Sequence, residues 1–208
     1  MQDKESTSSR DRILQAAKHL FAQRGYENTS TIMIARAAST SESQLVKHFG
    51  SKDGLLEAIF ELGWRQMGNL FEAIVDTAPP VQRLRLLVDH VLAGLNRDPE
   101  LKELMLFESR RIRKQGHAVL MTGSFIDFMR KLDVMLAEMR QRGELRFDFP
   151  PQAVRSALMG ICEGMLRDEL LARRKGVESG YSIEDVKAIL EMVLTSLLLP
   201  EQARRAHS

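Results

Sequence analysis

The chain has 208 residues, 44% of them hydrophobic and 28% charged, with a formal net charge of +2. This is the balance of a globular protein with a substantial core, outside the range that marks disorder. No apolar run approaches the roughly 20 residues that a membrane helix needs, and the polar stretch Met1 to Arg10 lacks the apolar segment of a secretory signal, so the expected location is the cytoplasm.

Cys162 is the only cysteine, which excludes an intrachain disulfide and leaves too few thiolates for a structural zinc site. Its ordinary role is that of a core residue. Residues 1 to 54 hold eight Lys and Arg against six Asp and Glu, whereas the remainder holds 22 against 22. The small positive excess therefore falls in the N-terminal segment.

Helical spacing dominates the whole chain, and no stretch alternates in the manner of a strand. From Arg10 to Arg24, Ile13, Ala17, Leu20 and Phe21 form one apolar stripe, and Gly25 supplies the stop. Thr29 and Ser30 offer capping oxygens to a short helix over Thr31 to Ala38, facing inward through Ile34, Ala35 and Ala38. The polar break Ser39-Thr40-Ser41 precedes a second short helix over Glu42 to Phe49. Ser51 caps a longer helix from Lys52 toward Val75, which Thr77 to Pro80 interrupts.

Helices follow over Val81 to Asn96, over Glu100 to Lys114 behind the start signal Asp98-Pro99, and over His117 to Arg142. A connector spans Gly143 to Pro150, and another helix runs from Pro151 to Lys175. The spacing Ser182-x-x-Asp185 is a capping box that opens a last helix to Leu199, with Pro200 as its stop. The expectation is an all-α chain of about nine helices, with an N-terminal three-helix domain over residues 1–50 and a helical domain over residues 51–208.

Two short helices in quick succession over residues 31–49 have the form of a helix-turn-helix, in which the first braces on the DNA backbone and the second lies in the major groove. Leu45 and Phe49, four apart, face the core and leave Ser41, Ser43, Gln44, Lys47 and His48 for the outer side. Gln44 can present its amide to adenine and Lys47 can reach guanine or phosphate, while the small Ser43 permits close approach. Two structural alternatives stand beside these roles. Ser41-x-x-Gln44 is itself a capping box that would tie Gln44 back to the helix start, and His48 could instead hold the helix end. Lys52 opens the fourth helix, where free N–H groups and the helix dipole favour phosphate.

The stretch Arg12-Ile13-Leu14-Gln15-Ala16-Ala17, followed by Leu20-Phe21-Ala22-Gln23-Arg24-Gly25-Tyr26, resembles the opening of TetR-family regulators. Ile34-Ala35-Arg36-Ala37-Ala38, Ser41, Leu45, His48-Phe49, Ser51-Lys52 and Leu55-Leu56 continue the likeness, which covers about residues 8 to 60. The resemblance implies a homodimeric, DNA-binding repressor that responds to a small-molecule effector, with double-stranded operator DNA as partner. By it, Thr31, Ser41, Ser43, Gln44, Lys47, His48 and Lys52 occupy positions that commonly face DNA, with Thr31, His48 and Lys52 favouring phosphate. Three positions depart from the pattern. Ser39 replaces a turn glycine, Glu42 stands where a basic or small residue is common, and Val46 replaces a frequent tyrosine.

In the C-terminal part, Gly160 and Gly164 with Leu194, Leu197 and Leu198 make the last two helices candidates for a dimer interface. Met105, Phe107, Met121, Phe125, Phe128, Met129, Met135 and Met159 are candidates to line an effector pocket, although most such residues are ordinary core. Glu108, Arg111, His117 and Glu163 are candidates for a polar ligand group. The five histidines show no metal-binding spacing and no serine sits in a nucleophile elbow, so neither metal nor catalytic residues are expected. Two other readings stay open: a helical protein-interaction module without DNA binding, and a helical enzyme that uses Glu163 near His117.

Overall fold

The computed structural model describes residues 8–74, 78–109, 121–146 and 148–199. Among them are nine helices: α1 (Ser9–Arg24), α2 (Thr31–Ala37), α3 (Glu42–Phe49), α4 (Lys52–Ile74), α5 (Pro80–Arg97), α6 (Pro99–Phe107), α7 (Gly123–Gln141), α8 (Pro151–Arg174) and α9 (Ile183–Leu197). The all-α expectation holds, and the only β feature among the described residues is one isolated antiparallel bridge, Leu145 to Leu198.

The helix starts follow their capping residues. Ser8, Ser30, Ser41 and Asp98 each accept a first-turn N–H of the helix that follows, and Pro99 occupies the start of α6, where its missing N–H costs nothing. The capping box of α9 is complete, because Ser182 and Asp185 each accept the other's backbone N–H. In α3 only half of the box is present: Ser41 Oγ accepts from Gln44 N at 3.3 Å, and the Gln44 side chain is exposed.

Helix α6 ends at Phe107, with Glu108 and Ser109 in a turn, short of the end expected at Lys114, while His117, the start expected for α7, and the stop at Pro200 lie outside the described residues. The described α7 begins at Gly123, where Glu61 accepts both the backbone N–H of Ser124 (2.9 Å) and its hydroxyl (2.6 Å). A carboxylate from another helix thus satisfies an N–H that the local sequence leaves without a cap. These bonds, chiefly the side-chain one, hold the Glu61 carboxyl below its usual range against a smaller opposing effect of burial.

The residues group into two compact units, one from Met1–Arg65 with Asp98–Phe125 and the other from Gln66–Arg97 with Ile126–Ser208. In the first, Ile13, Ala17 and Phe21 of α1 are buried with Ile34 and Ala35 of α2, Leu45 of α3, and Leu55, Leu56 and Phe60 of α4. Helix α6 packs on α1 and is tied to it by Lys18–Asp98 at 2.7 Å and His19–Glu100 at 2.6 Å. Gly63 admits α6 closely, since a Cβ there would lie 2.8 Å from Leu101 Cδ2.

In the second unit, Leu84 and Leu87 of α5, Leu132, Leu136 and Met139 of α7, Leu158 and Leu166 of α8, and Leu190 and Leu194 of α9 form the core. Two ion pairs with little exposure cross it, Arg83–Glu138 and Arg155–Asp133, each at 2.6 Å. Helix α9 stops at Leu197 because Leu198 is extended. The residues that follow α9 are then held on the connector after α7, with Arg146 N donating to Leu197 O and Leu199 N to Glu144 O, both at 2.8 Å.

Candidate nucleic-acid interface

Helix α3 rests on the first unit through Leu45, which is fully buried, and through the partly buried Phe49. Burying a single leucine fixes the rotation of an eight-residue helix, because its neighbours must then fan outward at 100° steps. Ser41, Glu42, Ser43, Gln44, Val46, Lys47 and His48 are consequently exposed.

Most of the residues expected to face DNA therefore come together along one short helix. The hydroxyls of Ser41 and Ser43 are hydrogen-bonded at 2.8 Å, and the His48 ring lies 6.2 Å from that of Phe49, tilted by 58°. Above Phe49 sits the guanidinium of Arg10, 5.2 Å from the ring centroid. This places a second cation beside the end of α3. Nothing in the spacing of α1 alone singles out Arg10, since its partner ring lies in α3.

The two phosphate candidates outside α3 are engaged within the chain. Thr31, at the start of α2, donates its hydroxyl to Oε1 of Glu42, so its partner is one of the departing residues. Lys52 donates to the backbone carbonyls of Tyr26 and Thr29, each at 3.0 Å, with its ammonium 4.2 Å from the centre of the Tyr26 ring. The Tyr26 hydroxyl in turn donates to Asp53 at 2.6 Å. Thr29, itself buried, donates to the carbonyls of Leu20 and Gly25 at 3.2 and 2.9 Å.

The two turns that set the angle of α3 differ in character. Between α2 and α3, Ser39 takes a left-handed backbone with φ of 51°, the conformation for which a glycine is the usual choice. Arg12 Nε braces this turn by donating to Ala38 O at 3.3 Å. Between α3 and α4 the chain doubles back so tightly that a Cβ on Gly54 would lie 2.2 Å from the Phe49 carbonyl oxygen.

The residues expected to line an effector pocket fall in both units. Met105 and Phe125 are buried in the first, Phe128 and Met135 in the second, Phe107, Met129 and Met159 are partly buried, and Met121 is exposed. Arg111 and His117 lie outside the described residues. Glu108 is buried, and Glu163 lies 3.9 Å from Arg167 on its own helix. A small crevice in the second unit is lined instead by aliphatic side chains, among them Leu84, Leu136, Met139, Val154 and Leu194, together with Arg85. No group of His, Cys, Asp and Glu suited to a metal occurs among the described residues. Nor is any described helix long and apolar enough to cross a membrane.

The family pattern described as bacterial regulatory proteins, tetR family, matches residues 13–59, the span that contains α2, α3 and the turns around them. Over 175 residues the chain is 29% identical to the nucleoid occlusion factor SlmA of Edwardsiella ictaluri, covering 80% of this chain and 86% of that protein. It is 24% identical over 191 residues to the HTH-type transcriptional repressor AcnR of Corynebacterium glutamicum, covering 90% and 91%. The transcriptional regulator FadR of Bacillus subtilis, solved with stearoyl-CoA, has a similar fold, with a TM-score of 0.74 at 19% identity over 89% of this chain and 98% of that one. With a helix-turn-helix whose second helix is exposed along its polar side, the chain matches the pattern of tetR-family bacterial regulatory proteins over residues 13–59 and is similar along most of its length to a nucleoid occlusion factor and a transcriptional repressor.

Proposed function

We propose that the protein is a homodimeric repressor that binds operator DNA through α3 and releases it when a small-molecule effector binds the helical part of the chain. The observation that carries this reading is the polar outer side of α3, where Ser41, Ser43, Gln44, Lys47 and His48 are all exposed on a helix anchored by Leu45. An exposed row of hydrogen-bonding and cationic side chains on a short helix matches the chemistry of base edges and phosphates in the major groove. DNA binding is assigned to residues 1–50, and effector binding and dimerisation to residues 51–208.

Dimerisation is assigned to α8 and α9. Leu171, Ile189 and Met192 are large apolar residues left exposed on these helices, and a Cβ on Gly160 or Gly164 would meet nothing within 4 Å beyond its own helix backbone and chain neighbours. A second copy of the chain covers such a surface with the two-fold symmetry that a palindromic operator requires. Repression follows the relatives, one of which is a transcriptional repressor. An effector with an apolar portion suits the aliphatic crevice of the second unit, and the FadR relative binds an acyl-CoA. Such an effector acts by binding the DNA-competent and released states unequally.

The test is binding of the purified protein to DNA from its own promoter region across a salt series, with specific competitor and with a Lys47→Ala, His48→Ala double variant. Sequence-specific binding that weakens with salt and is lost in the variant supports the reading. A folded dimer that shows neither, after removal of any co-purified ligand, defeats it in favour of a protein-interaction module.

A further inference from the structure

The helix-turn-helix carries two large hydrophobic side chains with no cover, Ile32 at 58% and Val46 at 49% exposure. Ile32 follows Thr31, the residue whose hydroxyl holds Glu42. Val46 stands four residues after Glu42, so the two share one face of α3. An acid and an adjacent apolar group therefore occupy the edge of α3 beside the start of α2, a combination ill suited to phosphate. A carboxylate repels the DNA backbone, and a valine offers it no donor.

Base edges present a different chemistry. In the major groove a carboxylate can only accept, and cytosine offers the N4 amino group as its donor. Adenine places the N7 acceptor beside its amino group, guanine presents two acceptors, and thymine presents O4. A fixed carboxylate therefore favours cytosine. Thymine alone among the four bases carries a methyl group there, which matches an apolar side chain. We propose that Glu42 and Val46 form a pyrimidine-reading edge, with Glu42, positioned by Thr31, accepting from cytosine N4 and Val46 packing on a thymine methyl.

The Thr31 hydroxyl occupies Oε1 of Glu42. It offsets part of the cost of desolvating the charge and fixes the rotamer, leaving Oε2 to accept from the base. Four residues of helix rise by about 6 Å, close to two steps of about 3.4 Å along one strand. The cytosine and the thymine should accordingly lie about two positions apart in each half-site. The inference rests on the DNA-binding reading above and deepens it.

The experiment is selection of binding sites from a random duplex library with the full-length protein and its E42A, E42Q, V46A and T31V variants, each checked for an unchanged melting temperature. Affinities are then measured on duplexes altered one base at a time, including deoxyuridine in place of thymidine. For the wild type, replacing the cytosine should weaken binding by roughly five- to a hundredfold. E42A should abolish that preference and leave other positions as they were, while E42Q should move it toward adenine, the base that matches an amide. V46A should lose discrimination between thymidine and deoxyuridine. T31V should weaken the cytosine preference without changing the salt dependence, as expected of a positioning residue.

If E42A instead raises affinity evenly on all sequences, Glu42 merely repels phosphate and the proposal fails. It fails equally if V46A leaves the response to deoxyuridine intact. A wild-type protein that selects no motif at all removes the DNA-binding reading, and the inference falls with it.

Discussion

The Lys52 ammonium lies 4.2 Å from the centre of the Tyr26 ring and donates to the backbone carbonyl of the same residue at 3.0 Å. With its second bond to Thr29 O, it clasps the turn between α1 and α2 to the start of α4. Substituting Lys52 with methionine keeps the aliphatic stem but removes both charge-assisted bonds and the cation over the ring. The expected cost is about 1–2 kcal/mol of stability, read as a lower urea midpoint with an unchanged slope. Loss of DNA binding with undiminished stability would place Lys52 on phosphate instead.

Two backbone positions around α3 respond to side-chain changes in opposite directions. Ser39→Gly relieves a left-handed backbone and should raise stability by about 1 kcal/mol, net of glycine's entropy in the unfolded chain. Gly54→Ala forces a methyl group against the Phe49 carbonyl and should cost about 2 kcal/mol or more. Thermal denaturation of the two variants beside the wild type reads both signs.

Glu61 predicts a component of acid sensitivity. Its carboxyl is held below the usual value of 4.5, first by the Ser124 hydroxyl. A depressed native pKa contributes stability that is present above the unfolded value and lost as pH falls through the folded one. Glu61→Gln should therefore flatten the stability profile in the window below pH 4.5. An unaltered acid limb in denaturation curves would show that Ser124 does not retain the carboxylate.

Cys162 should set an alkaline limit. Burial, helped by the nearby Glu163 carboxylate, pushes its thiol up from 9.0 to about 12. The protonated form is favoured in the native state, so its contribution is present below pH 9.0 and disappears as pH rises toward about 12. Cys162→Ala should lose that alkaline decline. In the wild type, the raised pKa should make a thiol reagent at pH 8 react more slowly with Cys162 than with a free thiol.

Met192 is 64% exposed on α9. Met192→Asp puts a charge on the surface assigned to dimerisation and leaves the core of its own chain untouched. The expected result is a monomer by sedimentation, with operator affinity lowered by two orders of magnitude or so, since paired half-sites no longer act together. A dimer that persists would move the interface elsewhere.

Local signals were legible in the sequence and distant ones were not. The bounds of α3 follow from Ser41 before it and Gly50 after it, both within one turn of the helix they limit. The start of α7 has a local cap in Thr122, whose hydroxyl accepts the Phe125 N–H, but the bonds from Ser124 go to Glu61, 63 residues away, and no local spacing reveals that partner. Lys52 illustrates the same limit, because its position at a helix start suggests phosphate while the partner that holds it lies 26 residues upstream. Of the eight methionines and phenylalanines named for a pocket four are buried, and periodicity does not report which unit a residue joins.

The ion pairs of α1 with α6 have a consequence for how the chain is made. Lys18 and Asp98 are separated by 80 positions and His19 and Glu100 by 81, and the first unit includes residues up to Phe125. A nascent chain that has emerged only as far as α3 already holds the DNA-reading helix but lacks the segment that closes around α1. At synthesis rates of about 5–20 residues per second, the intervening stretch takes several seconds to appear, far longer than a helix takes to form. Completion of the reading head is thereby tied to the progress of the ribosome, and a chain cut short before Asp98 would carry its recognition helix on an unfinished support.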